Sequence, residues 1–169
     1  MSNLDLYRSE KDHIRENLNK YTRKAFELLP KIKNPNILDV GCGSGVPTME
    51  LAKISDGHVI GIDIDVTSLN LLRRKIKEIG LNNQVSVIKD SILTMDFPEE
   101  SFDIIWAEGS IFVIGFENGI KKWRRFLKPN GFFVIHDENT DKTKKLGLIT
   151  KYGYRLIAQF ELPEKLWWL

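Results

Sequence analysis

ILDVGCGSG, Ile37 to Gly45, decides how the chain is read. An apolar run carries an acid, Asp39, and then Gly41, Gly43 and Gly45 fall within five residues. Glycines this dense after a strand let a ligand approach the backbone closely. Two phosphate-binding patterns fail here. A dinucleotide loop has the form G-x-G-x-x-G. Gly41 and Gly43 fit it, but Val46 occupies the last position. A P-loop requires Lys after its last glycine, and Val46 follows Gly45.

Outward from this loop, strand and helix patterns alternate. Upstream, Ile14, Leu18, Tyr21, Ala25 and Leu28 share a helical face, predicting one helix over about 8–29 that Pro30 and Pro35 stop. Strands are expected at 36–40, 58–64, 85–89, 102–107, 132–136 and 155–162. Helices are expected at 46–55, 67–79, 116–127 and 141–152, with Gly80 as a C-terminal cap and a turn at Lys128-Pro129-Asn130-Gly131. Alternation of this kind implies a doubly wound, mainly parallel α/β sheet with helices on both faces. Runs such as NILDV and DIIWA suit strands buried on both sides. Ligands of such sheets bind beyond the carboxyl ends of the strands.

Three acids fall at those ends. Asp39 precedes the loop, where a carboxylate repels a pyrophosphate and suits an ammonium group. The N–H groups from Gly43 onward, at a helix start, suit a carboxylate. Asp63 ends the second strand, 22 residues after Gly41, where an acid accepts from ribose hydroxyls. Asp90 and Ser91 end the third, where a carboxylate can take an exocyclic amine and an N–H can meet a ring nitrogen. Amino acid, ribose and adenine together, without phosphate, describe S-adenosyl-L-methionine.

The bulk properties agree with a globular chain. It has 169 residues, 42% hydrophobic and 28% charged, the size of one domain with no need of disulfides or metals. A net charge of +2 is too small to argue for nucleic acid. The basic runs at Arg73-Arg74-Lys75 and Lys121-Lys122 to Arg124-Arg125 read as solvated helix faces. The lone Cys42 and the polar start MSNLDLYRSEKDH point to a cytoplasmic location with no secretory signal. Apolar runs stay well under the ~18 residues of a membrane span.

The quoted loop resembles motif I of class I S-adenosylmethionine-dependent methyltransferases. GIDID resembles their second motif, KDSILTMDFPEESFDIIWAEG their third strand to fourth strand, and RRFLKPNGFFVIHD their fifth-strand region. The likeness spans about 36–137 and lies nearest the small-molecule branch that includes ubiquinone/menaquinone-type enzymes. It implies a Rossmann-like fold and a single domain over 1–169, with a covering helix at 1–30 and an α/β core at 36–162. It also implies S-adenosyl-L-methionine as cofactor and S-adenosyl-L-homocysteine as product. By position, Asp39, Gly41, Cys42 and Gly43 surround the methionine end. Asp63 takes the ribose, Ile64 packs on adenine, Asp90 and Ser91 contact its edge, and Ala107 and Glu108 lie near the methionine and the acceptor. The family's seventh strand has no counterpart: after Phe160 only ELPEKLWWL remains, so either the strand is missing or the chain is cut short. Trp167 and Trp168 are expected to pack on the domain or on a second copy.

Methyl transfer needs position and a dry site more than acid–base groups. Glu108 and Asp137 are the candidates for a base if one is used. His136 with Asp137-Glu138 reads as a solvated strand end, and no metal site is assigned. His13 and His58 read as surface residues and Cys42 as a small loop residue. Glu108 and Glu117 resemble the paired glutamates of protein arginine methyltransferases, but that family's Thr-His-Trp motif and C-terminal barrel are absent. At strand four, WAEG replaces the Pro-Pro-aromatic motif of DNA amino-methyltransferases. The expected function is therefore methyl transfer to a small-molecule acceptor. A non-catalytic S-adenosylmethionine-binding regulatory or partner subunit is the alternative, and an NAD-dependent oxidoreductase is disfavoured by Val46 and Asp39.

Overall fold

The computed structural model describes residues 3–163. Five strands form one sheet: β1 (Asn36–Val40), β2 (His58–Asp63), β3 (Val85–Lys89), β4 (Phe102–Glu108) and β5 (Leu127–His136). Their order is β3-β2-β1-β4-β5 and every pairing is parallel. The order reverses between β1 and β4, which opens a crevice at the carboxyl ends of those two strands. The fold is the Rossmann-like arrangement expected, with no seventh strand among the described residues.

The sheet is sealed on both faces because its central strands alternate between two apolar layers. Leu38, Val40, Ile105 and Ala107 face one core, with Ile120, Trp123 and Phe126. Ile37, Val59, Ile104 and Trp106 face the other, with Leu51, Leu69 and Leu72. Helices α3 (Val46–Ile54) and α4 (Val66–Glu78) cover the second layer, and α5 (Phe116–Lys122) and α6 (Lys142–Lys151) lie on the first. Asp65 caps α4 by accepting from Thr67 N–H at 3.1 Å, and Gly80 follows the helix at φ 73°. No described helix is long and apolar enough to cross a membrane.

Four expectations are corrected. The N-terminal helix is two, α1 (Asn3–Glu16) and α2 (Asn19–Glu27). Asn17 and Leu18 N–H groups make tight i→i−3 bonds to Ile14 and Arg15, and the Asn17 amide bonds the His13 carbonyl. Asparagine side chains compete for backbone groups in this way and break helices. The break leaves Ile14 and Leu28 exposed, while Leu18 is buried. At its far end α4 likewise leaves Ile79 exposed. The helix expected over 116–127 is α5, a 3-10 turn at Trp123–Phe126, and then β5 directly. The turn expected at 128–131 is a bulge inside β5, where the register shifts beside Phe102 and Ile104. Pro129 cannot donate to a ladder and Asn130 sits at φ 63°.

The sixth strand expected at 155–162 does not form, so the α/β core ends at α6. The segment is pinned by aromatics instead. Tyr154 packs edge-on against Phe133 and donates its hydroxyl to Ile120 O at 2.7 Å. Phe160 stacks on Tyr21 at 6.3 Å. A strand gains its hydrogen bonds only from a partner, and β5 is the last strand of the sheet. Trp167 and Trp168 lie outside the described residues.

Gly45 precedes α3 at φ 84°, and a Cβ there would fall onto Leu72 Cδ1. Gly43, at φ 53°, has open space around it. Gly43→Ala is expected to cost about 1–2 kcal/mol, the left-handed backbone penalty alone. Gly45→Ala should add an overpacking cost of about 1–3 kcal/mol. Urea unfolding of both variants checks this, and equal losses would remove the Leu72 contact from the account.

Candidate functional site

The glycine loop is tied to β2. Gly41 and Cys42 N–H groups both donate to Ile62 O at 2.9 Å. Gly43 N–H donates to Asp63 Oδ2 at 2.9 Å, and Gly45 N–H to Cys42 O at 2.9 Å. Asp63 Oδ1 accepts from Asp65 N–H at 2.9 Å. The carboxylate is thus fixed by one bond to each oxygen, and each oxygen keeps acceptor capacity for a ligand hydroxyl. The same bonds consume the Gly43 amide that the sequence reading offered to a ligand carboxylate.

Beneath the loop, Asp39 is buried and accepts from Thr48 Oγ1 at 2.5 Å. Burial pushes its carboxyl up to about 7; the Thr48 bond opposes this, Glu108 adds to it and Arg15 relieves it. The structure therefore places Asp39 under the crevice, against α3, and not on its surface. Cys42 is also buried, and burial raises its thiol well above the ordinary range. It packs against Gly61 and is no nucleophile.

Beyond Asp63 the edge turns apolar and open. Ile64 is 65% exposed and Leu93 57% exposed, which leaves aliphatic surface for a flat base. Asp90 lies beside them, but its Oδ1 takes Ser91 N–H at 2.7 Å, so that amide is not free for a ring nitrogen. Gly41, Gly43, Asp63, Asp90, Ser91 and Glu108 are all partly open to solvent along one edge of the sheet. Ala107 is fully buried and can offer only backbone there.

The other end of the crevice is built from distant parts of the chain. Glu108 Oε2 accepts from Trp106 Nε1 and from Thr22 Oγ1 of α2, both at 3.1 Å. His136 pairs in register with Glu108, and Gly109 N–H donates to its carbonyl at 2.9 Å. Burial lowers the His136 imidazole from its ordinary value, with Glu108 and Asp137 opposing and Arg15 assisting. A neutral ring at neutral pH follows. Asp137 pairs with Lys145 at 2.7 Å, so its carboxylate is already engaged. Glu117 does not join Glu108: it accepts from Tyr152 Oη at 2.7 Å and Lys151 Nζ at 2.9 Å. His58 is part-buried, its ring 2.9 Å from Ser86 Oγ. Among the described residues no group of three His, Cys, Asp or Glu side chains is arranged to hold a metal.

Sequence reasoning missed the residues of the N-terminal helices. Asp12 is buried and accepts from Lys75 Nζ at 2.6 Å and from Ser44 Oγ. Arg23 pairs with Glu50 of α3. Arg15 Nη2 lies 3.5 Å from Glu108 O. No spacing rule links an early helix to a loop some thirty residues on, so no signal pointed to these contacts.

The model of the methyltransferase domain matches residues 37–131, more than half of the chain. Sterol 24-C-methyltransferase of Eremothecium gossypii is 34% identical over 112 residues, covering 63% of this chain and 30% of that protein. The Debaryomyces hansenii sterol 24-C-methyltransferase is 32% identical over 147 residues, covering 79% and 38%. The chain thus spans about a third of the length of these relatives. Among solved structures, geranyl diphosphate methyltransferase in complex with SAM matches with TM-score 0.68 at 14% identity, covering 79% of this chain and 64% of that one. The [4+2]-cyclase SpnF matches with TM-score 0.63 at 25% identity, covering 68% and 43%.

The buried Asp39 carboxyl has a consequence for stability. Its folded pKa lies above the ordinary value, so the folded chain keeps a proton that the unfolded chain loses between about pH 4 and 7. Its stabilising contribution is full below that window and is lost as pH rises through it. Asp39→Asn keeps an acceptor for Thr48 and cannot ionise. Urea midpoints should fall more steeply from pH 4 to 7 in the natural chain, by about 2–4 kcal/mol in all. Parallel profiles for the two proteins would refute this.

Proposed function

The chain belongs to the methyltransferase-domain family, and we propose that it transfers a methyl group from S-adenosyl-L-methionine to an apolar small-molecule acceptor. The carrying observation is the brace between the glycine loop and Asp63. A loop with four of its five amides from Gly41 to Gly45 bonded internally is a poor phosphate cradle. It nevertheless leaves Asp63 open beside exposed Ile64, which suits a ribose hydroxyl next to a base. The donor residues are those of the sequence reading, from Gly41 to Glu108. Asp39 and Cys42 support the loop from below, Ala107 contributes backbone, and Ser91 positions Asp90.

When bound, the donor supplies an electrophilic sulfonium methyl. The acceptor's electron pair forms the new bond to carbon as the carbon–sulfur bond breaks and its pair returns to sulfur. The chain's own groups hold the two partners in line and exclude water. Leu18 just before α2, Tyr21 and Ala25 of α2, and Phe132 and Val134 of β5 border Glu108, Thr22 and His136. A mostly apolar wall with a few polar groups at one end suits an apolar acceptor. The sterol names of the relatives favour an isoprenoid-derived acceptor over the quinone type suggested by the motifs. Methylation of an alkene carbon leaves a cation that must lose a proton. Glu108 would stabilise that charge, and neutral His136 would take the proton.

A second reading keeps the donor but not the transfer. The likeness to a chain named a [4+2]-cyclase favours it, since it places this fold on a protein named for other chemistry. Consumption of S-adenosyl-L-methionine with a sterol or shorter isoprenoid separates the two readings.

Calorimetric titration with S-adenosyl-L-homocysteine tests the donor. Binding is expected, and its absence at millimolar ligand would end both readings. Asp63→Ala should weaken it by about 1–3 kcal/mol, the loss of a charged hydrogen-bond partner. Unchanged affinity would take Asp63 out of the ribose role.

A further inference from the structure

A donor with an amino-acid end brings a carboxylate to this edge, and four of the five loop amides from Gly41 to Gly45 are already committed. The N–H groups of Gly41, Cys42, Gly43 and Gly45 are all bonded within the protein. The edge itself is acidic, with Asp12, Asp63, Asp90 and Glu108 close to the loop or the strand ends. A carboxylate placed there needs a cation. Lys75 reaches the loop but is committed, donating to Asp12 Oδ2 at 2.6 Å and to Ser44 O at 3.3 Å.

Arg15, by contrast, is a cation with no ion pair among the described residues. It is half-buried, and its one polar contact is the Glu108 carbonyl oxygen at 3.5 Å, at the outer limit of a hydrogen bond. Among the described residues no carboxylate lies within salt-bridge distance of it. Its Nη2 stands over Gly109, 3.2 Å from the point where a Cβ would lie. A guanidinium held partly out of water with five donors and a single long contact lacks its natural partner. Its position is fixed by Asp12, three residues earlier on α1, which joins the helix to Ser44 and Lys75. The guanidinium therefore sits at the β4 end of the crevice, across from the glycine loop.

We infer that Arg15 receives the carboxylate of the donor's amino-acid end, a role that rests on the S-adenosyl-L-methionine reading above. The planar fork of arginine matches a carboxylate in two parallel hydrogen bonds. Release of the Glu108 carbonyl would at the same time free an acceptor for the donor's ammonium group. Both ends of the zwitterion would then be met at one place, the carboxylate by a side chain from α1 and the ammonium by backbone of β4.

The test compares two ligands on the full chain. S-adenosyl-L-homocysteine carries the amino-acid end, and 5′-methylthioadenosine lacks it. Arg15→Met should lower affinity for the first by about 10- to 100-fold, as for loss of a charge-assisted pair, and leave the second within about twofold. Arg15→Lys should recover part of the loss, because it keeps the charge without the fork. Circular dichroism melting of each variant shows that it is folded. Equal losses for both ligands would mean that Arg15 only holds the crevice in shape, and would overturn the inference. Unchanged S-adenosyl-L-homocysteine affinity would overturn it as well and leave Arg15 to an anionic acceptor. Failure of the natural chain to bind either ligand would instead remove the donor reading on which it rests.

Discussion

A single hydrogen bond organises the crevice: Gly43 N–H to the Asp63 carboxylate at 2.9 Å. It crosses from the loop after β1 to the end of β2, and it sets both partners at once. Asp63 is held from its other oxygen by Asp65 N–H, so the carboxylate cannot turn. Gly43 is held at φ 53°, so the loop cannot straighten. With Gly41 and Cys42 both bonded to Ile62 O, the loop becomes an extension of the sheet. A rigid acidic group beside a rigid turn is what selective recognition of a diol needs, because no ordering entropy is left to be lost on binding.

The electrostatics of the edge follow from the same arrangement. Asp39, Asp63, Asp90 and Glu108 stand at four successive strand ends, and Asp12 joins them from α1. Arg15 and Lys75 are the cations set among them, and Lys75 is spent on Asp12. The field favours a ligand with positive charge, and S-adenosyl-L-methionine carries it on both sulfonium and ammonium. Asp39 shows the cost of burying an acid here: burial drives it up to about 7 even with Thr48 bonded to it, and Glu108 and Asp63 add to the rise. A cationic ligand nearby would lower that cost, so binding and ionisation of Asp39 are linked.

The strand ends proposed to hold the donor were legible in the sequence because they lie close in sequence to the strands themselves. NILDV announced a strand buried on both faces, and Ile37, Leu38 and Val40 are fully buried. Asp63 and Asp90 could be placed because periodicity fixed where β2 and β3 stop. Side-chain direction was not legible. Asp39 was given to the ligand, yet Thr48 draws it inward, and only the packing of α3 on β1 determines that. The amides of Gly43 and Ser91 were likewise given to ligands and are taken by Asp63 and Asp90. The break at Asn17 was hidden by an apolar stripe that continues across it. The absence of the sixth strand was hidden by a β-like run whose pairing depends on a neighbour and not on its own residues.

The acceptor half resisted for a different reason. Glu108 and Thr22 are 86 positions apart and meet through one hydrogen bond, and Arg15 reaches the Glu108 carbonyl across 93. Contacts of this range leave no local spacing, and the helices that make them carry ordinary amphipathic patterns. In the proposed reading the strand ends recognise a donor shared by a whole family, so their chemistry is constrained and readable. In the same reading the N-terminal helices close over that donor and form part of the acceptor wall, so their side chains answer to a partner the strands never touch. On that proposal, specificity sits where the backbone pattern says least, in α1, α2 and the outer strand β5.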